Sequence, residues 1–305
     1  MPSISQLRQQ ITSQIVEAIE SGETLPWRMP WRMPWRCDPN VGIPRNVISQ
    51  QSYNGINPLL IWVASERLGL QSKWWGTFKQ WTELGFQIKK RPSDVPPGCW
   101  GTKKAEENED ESQDQYLVAR QITLFCADQV EGAAQFQVGT QAPSDFEEFE
   151  LAEKLIAATG VTINYGGSRA FYESEADKIT LPPKHSFDPV GSFYETVFHE
   201  LAHWAECRVS SDRRLRSYEA HELVAELAAT FLSAELGIPQ PEGLGNHAAY
   251  LQAWLNQMKE DPSFIFVAAR QASHVANFLL SFLPENRGEL KEGISDIKPQ
   301  SALAG

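Results

Sequence analysis

The run His199-Glu200-Leu-Ala-His203 is the part of the chain whose residue types and spacing most clearly predict a chemical reaction. On a helix, histidines four residues apart lie on one face, so both imidazoles can bind the same metal ion. Glu200 then stands beside the open coordination position, where it can take a proton from water. The pattern is typical of metalloproteases and predicts two metal ligands and a catalytic base.

The surrounding residues predict a helix for this motif. Apolar residues recur at helical spacing, and Ser192 with Glu195 has the spacing of a capping box. We therefore expect a helix that begins near Phe193 and carries the motif in its middle. Glu206 and Val209 stand where the longer HExxHxxGxxH pattern requires Gly and His, which excludes a metzincin.

A second helix is predicted from about residue 218 to 236, where Gly237 and Pro239 would end it. This helix contains Glu222 and Glu226. Two acids at this spacing often form only a solvated helix face, but near the His-Glu-x-x-His motif a role in metal binding is favoured for at least one of them.

The run Glu222-Leu-Val-Ala-Glu226 resembles the ExxA(D/N) element of gluzincins. In that class the first acid is the third metal ligand and the second orients a ligand histidine. The resemblance implies that Glu222 binds the metal and that Glu226 hydrogen-bonds an imidazole, although the reverse order stays open. Two His and one Glu leave one position of a zinc ion for water, as in catalytic zinc sites, so Zn²⁺ is the expected cofactor.

Peptide hydrolysis also requires a hydrogen-bond donor for the developing oxyanion. Tyr218, His221 and Tyr194 are candidates that the sequence does not rank, and we take Tyr218 as the catalytic candidate. Upstream, 170–172 and 179–181 are predicted as strands of a hairpin. Its exposed edge could hold an extended peptide by strand addition, or it could be an ordinary surface hairpin.

Composition indicates a globular protein. A length of 305 residues suits two domains, each long enough for its own core, and 42% of the residues are hydrophobic. The longest apolar run is too short to span a bilayer, so no membrane partner is expected, and the N-terminus is predicted to form an amphipathic helix. The four cysteines are widely spaced without a CxxC pair, which favours reduced thiols in a cytoplasmic protein.

Charge and tryptophan content separate the first third of the chain from the rest. Residues 1–104 hold 13 Lys and Arg against 7 Asp and Glu, whereas the remainder holds 14 against 32. Eight of the ten tryptophans also lie in the basic third. Cationic groups bind phosphates while indoles stack on unpaired bases, so this part is predicted to bind single-stranded DNA. The expected contact residues are Tyr53, Asn54, Trp74, Lys79, Lys89, Lys90 and Arg91.

Two tryptophans, Trp62 and Trp81, lie on apolar helix faces and are predicted to be core residues. A tandem Trp-Arg-Met-Pro repeat over 26–36 could stack on bases or pack on its own domain. We expect an α+β protein of two domains, the second of them zincin-like with a motif helix and a second ligand helix. The predicted parts are a DNA-binding domain at 1–135 with a disordered acidic insertion at 103–115, a linker at 136–147, a metallopeptidase domain at 148–290 and a flexible tail at 291–305.

Several motifs together resemble one protein family over nearly the whole chain. The runs Tyr53-Asn-Gly-Ile-Asn57, Phe78-Lys-Gln80, Glu83-Leu-Gly85 and Asp128-Gln-Val-Glu-Gly132 are similar to the N-terminal single-stranded-DNA-binding domain of ArdC-type antirestriction proteins. The runs Ala157-Ala-Thr-Gly160, Leu181-Pro-Pro183, His199 to Trp204 and Glu222 to Glu226 resemble the zincin-like metallopeptidase domain of the same proteins. Three features depart from the family pattern: the expanded Trp-Arg-Met-Pro repeat, the acidic insertion, and His221 in place of a common Glu.

The resemblance implies a protein of plasmids and other mobile elements that protects incoming DNA from restriction. It implies single-stranded DNA and a protein substrate as partners, with a host restriction component as the candidate substrate. Two alternatives stay open at this point. The chain could be a DNA-binding shield with a non-catalytic metal site, or a cytoplasmic metallopeptidase whose N-terminal domain docks substrates.

Overall fold

The computed structural model describes residues 4–21, 39–89, 99–103, 118–139, 150–187, 190–209, 212, 214–238 and 248–283. The helices and strands follow the chain in the order α1 (Ile4–Ser21), β1 (Arg45–Asn46), α2 (Asn57–Leu68), β2 (Trp74–Gly76), α3 (Phe78–Glu83), β3 (Gln87–Ile88), β4 (Cys99–Lys103), β5 (Val118–Ile122), β6 (Phe125–Cys126), β7 (Val130–Glu131), α4 (Glu150–Thr159), β8 (Thr162–Tyr165), β9 (Phe171–Glu173), β10 (Lys178–Leu181), α5 (Val190–Glu206), α6 (Tyr218–Leu236), α7 (Ala248–Glu260) and α8 (Phe264–Leu280).

Small sheets lie beside a large group of helices, which confirms the predicted α+β class. In one three-stranded sheet β2 is central, parallel to β1 and antiparallel to β6. In the other, β10 is central, parallel to β8 and antiparallel to β9. Two further antiparallel pairs join β3 to β7 and β4 to β5. Within the described residues, no helix is both long and apolar enough to cross a membrane.

The first helix is amphipathic, as predicted, and it packs on the C-terminal helices. Ile11, Ile15 and Ile19 are buried at four-residue spacing, which places them on one face of α1. Thr12 Oγ1 donates a hydrogen bond of 2.8 Å to the carbonyl of Pro262. The N-terminal residues of the chain therefore contribute to the core of its C-terminal half.

The two halves of the chain share one continuous hydrophobic core. Ile15 of α1 and Trp62 of α2 belong to the same buried cluster as Leu223 and Phe231 of α6. The rings of Trp62 and Phe231 lie 5.9 Å apart. Each half is long enough for its own core, but α1 and α2 pack into the core of the C-terminal half. Apolar residues at helical spacing predict that one face of a helix is buried, but they do not indicate which part of the chain covers that face.

Smaller clusters complete the N-terminal half around Trp81 and Trp75, both fully buried. Trp62 is also buried, so both tryptophans predicted as core residues are confirmed. Phe136 packs edge-on against Trp81 at 5.7 Å between ring centres, and Gln137 Nε2 donates to the carbonyl of Ala127 at 3.0 Å. The N-terminal fold thus extends into the first residues of the stretch predicted as a linker.

The helix that carries the motif begins earlier than predicted. It starts at Val190, so Ser192 already lies inside it and its carbonyl accepts a 2.8 Å hydrogen bond from Thr196 Oγ1. The predicted capping box at Ser192 and Glu195 is therefore wrong. Apolar periodicity locates a helix well, but the first turn depends on cap geometry that short sequence patterns do not determine.

The second ligand helix, α6, has the predicted bounds. Ser217 caps its start by accepting a 3.2 Å hydrogen bond from the backbone N–H of Ala220. Gly237 ends the helix in the left-handed conformation, with φ at 69°, which a glycine adopts without strain. From Glu222 to Leu236, every side chain except that of Glu235 is buried, because α6 packs between α5 and α8.

The hairpin predicted before the motif is confirmed as β9 and β10. Ile179 and Leu181 of β10 are buried, and β10 packs against α5. The parallel strand β8 was not predicted. The predicted acidic insertion joins β4 to β5, which pair with each other, but residues 104–117 themselves lie outside the described residues. The Trp-Arg-Met-Pro repeat, residues 140–147 and the tail also lie outside them.

Candidate active site and DNA-binding surface

The imidazoles of His199 and His203 meet where α5 faces α6. Their Nε2 atoms are 3.2 Å apart. Both side chains are largely buried, with 14% and 20% of their surfaces exposed. The four-residue spacing on α5 thus produces the paired nitrogens that the motif predicts.

Glu222 brings a carboxylate to both imidazoles. Its oxygens lie 3.3 Å from His199 Nε2 and 3.5 Å from His203 Nε2, and the three ligand atoms lie within 4.8 Å of one another. Ligands held about 2.0–2.1 Å from a tetrahedral ion are roughly 3.3 Å apart. The observed separations therefore fit a single first-row divalent metal ion, and within the described residues this is the one such group of His, Cys, Asp or Glu.

Glu226 lies one turn further along α6 and is almost fully buried, with 1% of its surface exposed. Its charge acts on His199 and raises the pKa of that imidazole. The structure therefore gives the two acids different positions. Glu222 contacts both histidines directly, whereas Glu226 acts on one of them from within the core.

Burial and neighbouring carboxylates oppose each other at this site. Burial lowers the pKa of His199, but hydrogen bonding to Glu222 and the charge of Glu200 outweigh this effect, so the pKa is raised. Burial and the positive charge of His199 lower the pKa of His203 to about 4. Burial opposes ionisation of Glu222, yet hydrogen bonds from His199 and Tyr218 lower its pKa. The cluster thus keeps one neutral imidazole and one carboxylate ready to bind a cation.

Glu200 on the motif helix is 7% exposed and lies close to Tyr172 of strand β9, which packs on this helix. Burial raises the pKa of its carboxyl group, while a hydrogen bond from the backbone N–H of Tyr172 in β9 works in the opposite direction. A carboxylate with a raised pKa is a stronger base than an exposed one. The position of Glu200 is therefore suited to accepting a proton next to the ligand cluster.

The three candidate oxyanion donors have different partners. Tyr218 is 63% exposed, and its hydroxyl contacts Tyr250 Oη at 3.3 Å and also hydrogen-bonds Glu222, which together raise the pKa of Tyr218. Tyr194 is buried and donates to Glu153 Oε1 at 2.7 Å, on another side of α5. Of these two phenols, Tyr218 is the one that reaches the ligand cluster.

His221, the third candidate, has a contact with Glu206 that its sequence pattern did not predict. Its Nδ1 lies 2.9 Å from Glu206 Oε1, and Glu206 is buried with 8% of its side chain exposed. Burial raises the pKa of Glu206, although His221 opposes this effect. The pair forms a second contact between the ends of α5 and α6 that carry His203 and Glu222. Its sequence signal is weak: an acid three residues after His203, on the same side of the helix.

Strand β9 forms an edge of its sheet beside Glu200. In the described residues it pairs with β10 alone, and Phe171 on it is 43% exposed. The backbone groups on its outer side can accept an extended peptide as a further strand.

The predicted DNA contacts lie on the N-terminal half in different environments. Lys79 and Lys89 are exposed, as is Asn54, whose side chain donates to the carbonyl of Ser52 at 3.1 Å. Tyr53 is half-buried, and its hydroxyl lies 3.3 Å from Asn46 Nδ2. Trp74 is also half-buried. Lys90 and Arg91 lie outside the described residues.

Trp74 has structural partners on several sides. Its indole N–H donates to Asn40 Oδ1 at 2.7 Å, and Lys73 Nζ lies 5.3 Å from the ring centre. Phe136 packs edge-on against it at 5.7 Å. These contacts fix the indole in the protein and limit the surface that it offers to a base.

Comparison with known proteins covers both halves of the chain. Residues 5–130 match the N-terminal domain of anti-restriction factor ArdC, and residues 150–271 match a zincin-like metallopeptidase family. Among solved structures, the metal-free antirestriction ArdC protein of plasmid R388 is 30% identical and has a TM-score of 0.71, covering 90% of this chain and 97% of that one. The Mn(II)-bound structure of that protein is 32% identical with a TM-score of 0.68, covering 93% and 99%.

Two sequence relatives are similar over most of the chain. An uncharacterized protein, y4eC, of Sinorhizobium fredii is 29% identical over 287 residues, covering 89% of this chain and 90% of that protein. A DNA primase TraC of Escherichia coli is 32% identical over 298 residues. The match covers 90% of this chain but only 27% of that primase.

Proposed function

This chain belongs to the family of ArdC-type antirestriction proteins, and we propose that it binds single-stranded DNA and hydrolyses a protein at the site of His199, His203 and Glu222. The main support for a peptidase is the set of three donor atoms, which are spaced as the ligands of one metal ion would be and have Glu200 next to them. In this proposal the protein acts in the cytoplasm of a cell that receives a mobile element, and a restriction component is the substrate.

The donor set supports a divalent metal ion, and zinc is our proposal for it. Two imidazoles and one carboxylate, with one position left for water, are a common catalytic zinc environment. The R388 protein has been solved with Mn(II), and imidazole with carboxylate also suits manganese. Metal analysis of the purified protein distinguishes the two, since the same three residues would hold either ion.

The residues around the ligand cluster have separate roles in the proposed hydrolysis. A divalent ion held there supplies a Lewis acid that polarises a peptide carbonyl and makes water more acidic. Glu200 takes the proton from the attacking water and later delivers it to the leaving amine. The Tyr218 hydroxyl can turn from Glu222 to donate a hydrogen bond to the carbonyl oxygen as its negative charge develops.

Strand β9 is the proposed support for the substrate backbone. A peptide that pairs with the outer side of β9 would run past Glu200, because the backbone of Tyr172 on that strand is close enough to lower the pKa of the Glu200 carboxyl. Backbone pairing would bind many sequences, so selectivity would come from side-chain contacts such as those with the exposed Phe171.

The DNA-binding half of the proposal is supported by charge, aromatic content and family. The basic first third of the chain lies in the part that matches the ArdC N-terminal domain. One relative of this chain is named as a DNA primase. Binding through phosphates and base faces predicts little sequence preference and a strong dependence on salt.

Comparison of the wild type with Glu200→Gln tests the peptidase proposal. Both proteins are expressed in a restriction-proficient host, and new protein N-termini are identified by mass spectrometry. We expect one or a few termini that need the wild-type carboxylate, while the variant keeps its metal because Glu200 is not a ligand. Glu219→Gln, an acid of α6 outside the cluster, is the matched control. Identical termini in wild type and Glu200→Gln would exclude the peptidase role.

A binding shield with a non-catalytic metal site is the second candidate. The metal-free R388 structure bears on it, because that relative keeps its fold without the ion, and protection by coating a DNA strand would then not need the ion either. Entry of unmodified plasmid DNA into a restricting host separates the candidates. Protection that is equal with wild type and Glu200→Gln supports the shield, whereas protection lost in Glu200→Gln supports the peptidase.

A further inference from the structure

Phe78, the first residue of α3, has 62% of its surface exposed, although Trp81 on the same helix is completely buried. A single exposed apolar side chain is common on protein surfaces. At Phe78, however, hydrogen bonds hold the backbone, the turn at 46–49 presents a second exposed apolar residue, Ile48, and the next residue is Lys79. These three features together indicate what the ring binds.

The backbone that holds Phe78 is fixed by a complete capping box. Thr77 Oγ1 accepts the Gln80 N–H at 3.2 Å, and Gln80 Oε1 accepts the Thr77 N–H at 2.8 Å. Just before it, Gly76 has no space for a side chain, because a Cβ there would lie 2.7 Å from Val47 Cγ1. Capping hydrogen bonds and close packing at Gly76 therefore hold the backbone that presents the Phe78 ring.

The adjoining turn is tied to the same place. Asn46 Oδ1 accepts the backbone N–H groups of Ile48 and Ser49, each at 3.0 Å, and Asn46 Nδ2 lies 3.3 Å from Gln80 Oε1. Ile48 is 43% exposed. One asparagine thus couples the turn that presents Ile48 to the helix start that presents Phe78.

Charge on this surface favours an anionic partner. Lys79 has 86% of its side chain exposed, and its contact with Glu83 at 3.6 Å is a weak surface pair. The first third of the sequence, to which Lys79 belongs, carries the excess of Lys and Arg described above. An exposed aromatic ring next to an exposed cation is the arrangement with which proteins bind the base and the phosphate of an unpaired nucleotide.

We propose that Phe78 is a stacking platform for an unpaired base of single-stranded DNA, with Ile48 beside the base and Lys79 on a neighbouring phosphate. This inference rests on the proposed DNA binding and adds the residue at which a base is held. Trp74, one of the two aromatic residues that the sequence favoured, has its indole engaged within the protein instead.

Fluorescence anisotropy of the full chain with a labelled oligothymidylate tests the proposal. Stacking of one base predicts that Phe78→Ala raises Kd about 5- to 150-fold, while Phe78→Trp retains the affinity. The salt dependence should stay the same in Phe78→Ala but fall by about 0.7 in log–log slope in Lys79→Ala, which loses one phosphate contact. Tyr165→Ala removes a 51% exposed aromatic from β8 and should leave Kd unchanged.

An oligonucleotide with abasic sites distinguishes stacking from a structural role. On a base-free strand, wild type and Phe78→Ala should bind with the same Kd, because no base is present to stack. A penalty of equal size on both strands would overturn the proposal. If wild type binds the oligothymidylate and Phe78→Ala binds it equally well, the ring serves another partner, such as a protein. If wild type itself does not bind, the proposed DNA binding fails.

Discussion

Replacing Glu222 by glutamine should remove most of the metal affinity of the site. The substitution keeps the shape of the side chain but removes the negative charge that lies 3.3 and 3.5 Å from the two imidazole nitrogens. At an effective dielectric constant of 20, even unit charges 4 Å apart attract by about 4 kcal/mol. An affinity loss of roughly 10³-fold is therefore expected, since the amide oxygen of glutamine replaces only part of this interaction.

Glu226→Gln is the matched comparison on the same helix. A residue that orients a ligand without binding the metal contributes about 10- to 100-fold in metal affinity or activity. Glu226→Gln should therefore lose less metal affinity than Glu222→Gln. Glu219→Gln should bind metal as the wild type does. Competition with a chromogenic chelator gives the three values of Kd, and circular dichroism shows whether each apoprotein is folded.

The order of the two variants decides the assignment. If Glu226→Gln binds metal more weakly than Glu222→Gln, the two acids exchange roles and the ligand geometry described here is wrong. If all three variants retain wild-type affinity, the metal is bound elsewhere in the chain.

Three further predictions concern the fold. Trp62→Ala should lower the free energy of unfolding by about 3–5 kcal/mol in urea titrations. Because the Trp62 and Phe231 rings are in contact, the loss in the double variant should be smaller than the sum of the two single losses, and full additivity would argue against the shared core. The isolated fragment 1–135 should aggregate, or unfold at a much lower temperature than the full chain, because it exposes the apolar faces of α1 and α2. Light scattering and thermal unfolding measure this, and a stable monomer would contradict it. At pH 8, iodoacetamide should modify Cys207 before Cys126, because burial raises the pKa of the Cys126 thiol well above its usual value and leaves it protonated. Mass spectrometry of the peptides gives the two rates of modification, and equal rates would refute the burial of Cys126.

Part of the site was predictable because helix periodicity alone places its residues. His199 and His203 follow from their spacing, and the caps at Ser217 and Gly237 bound α6 where the sequence predicts. The choice of Glu222 over Glu226 needed a resemblance to a protein class, since both acids lie on one side of α6. Distances to the imidazoles now give them different positions.

Other features depend on how elements pack, which no local pattern encodes. The pair of Glu206 with His221 depends on the relative rotation of α5 and α6. The internal contacts of Trp74 come from Phe136 and Asn40, which are distant in sequence. The exposure of Phe78 likewise depends on the fold and not on its residue type. Residue type indicates that an aromatic can stack on a base, but only the packing shows which ring is accessible.

Anomalous diffraction from crystals grown with zinc or manganese tests the central claim most directly. We predict one strong peak per chain, at about 2.0–2.2 Å from the Nε2 atoms of His199 and His203 and from a carboxylate oxygen of Glu222. The peak should persist in Glu200→Gln and vanish in His203→Ala. A stoichiometric peak at any other position, or no peak in crystals of protein that binds metal in solution, would contradict the assignment of this site.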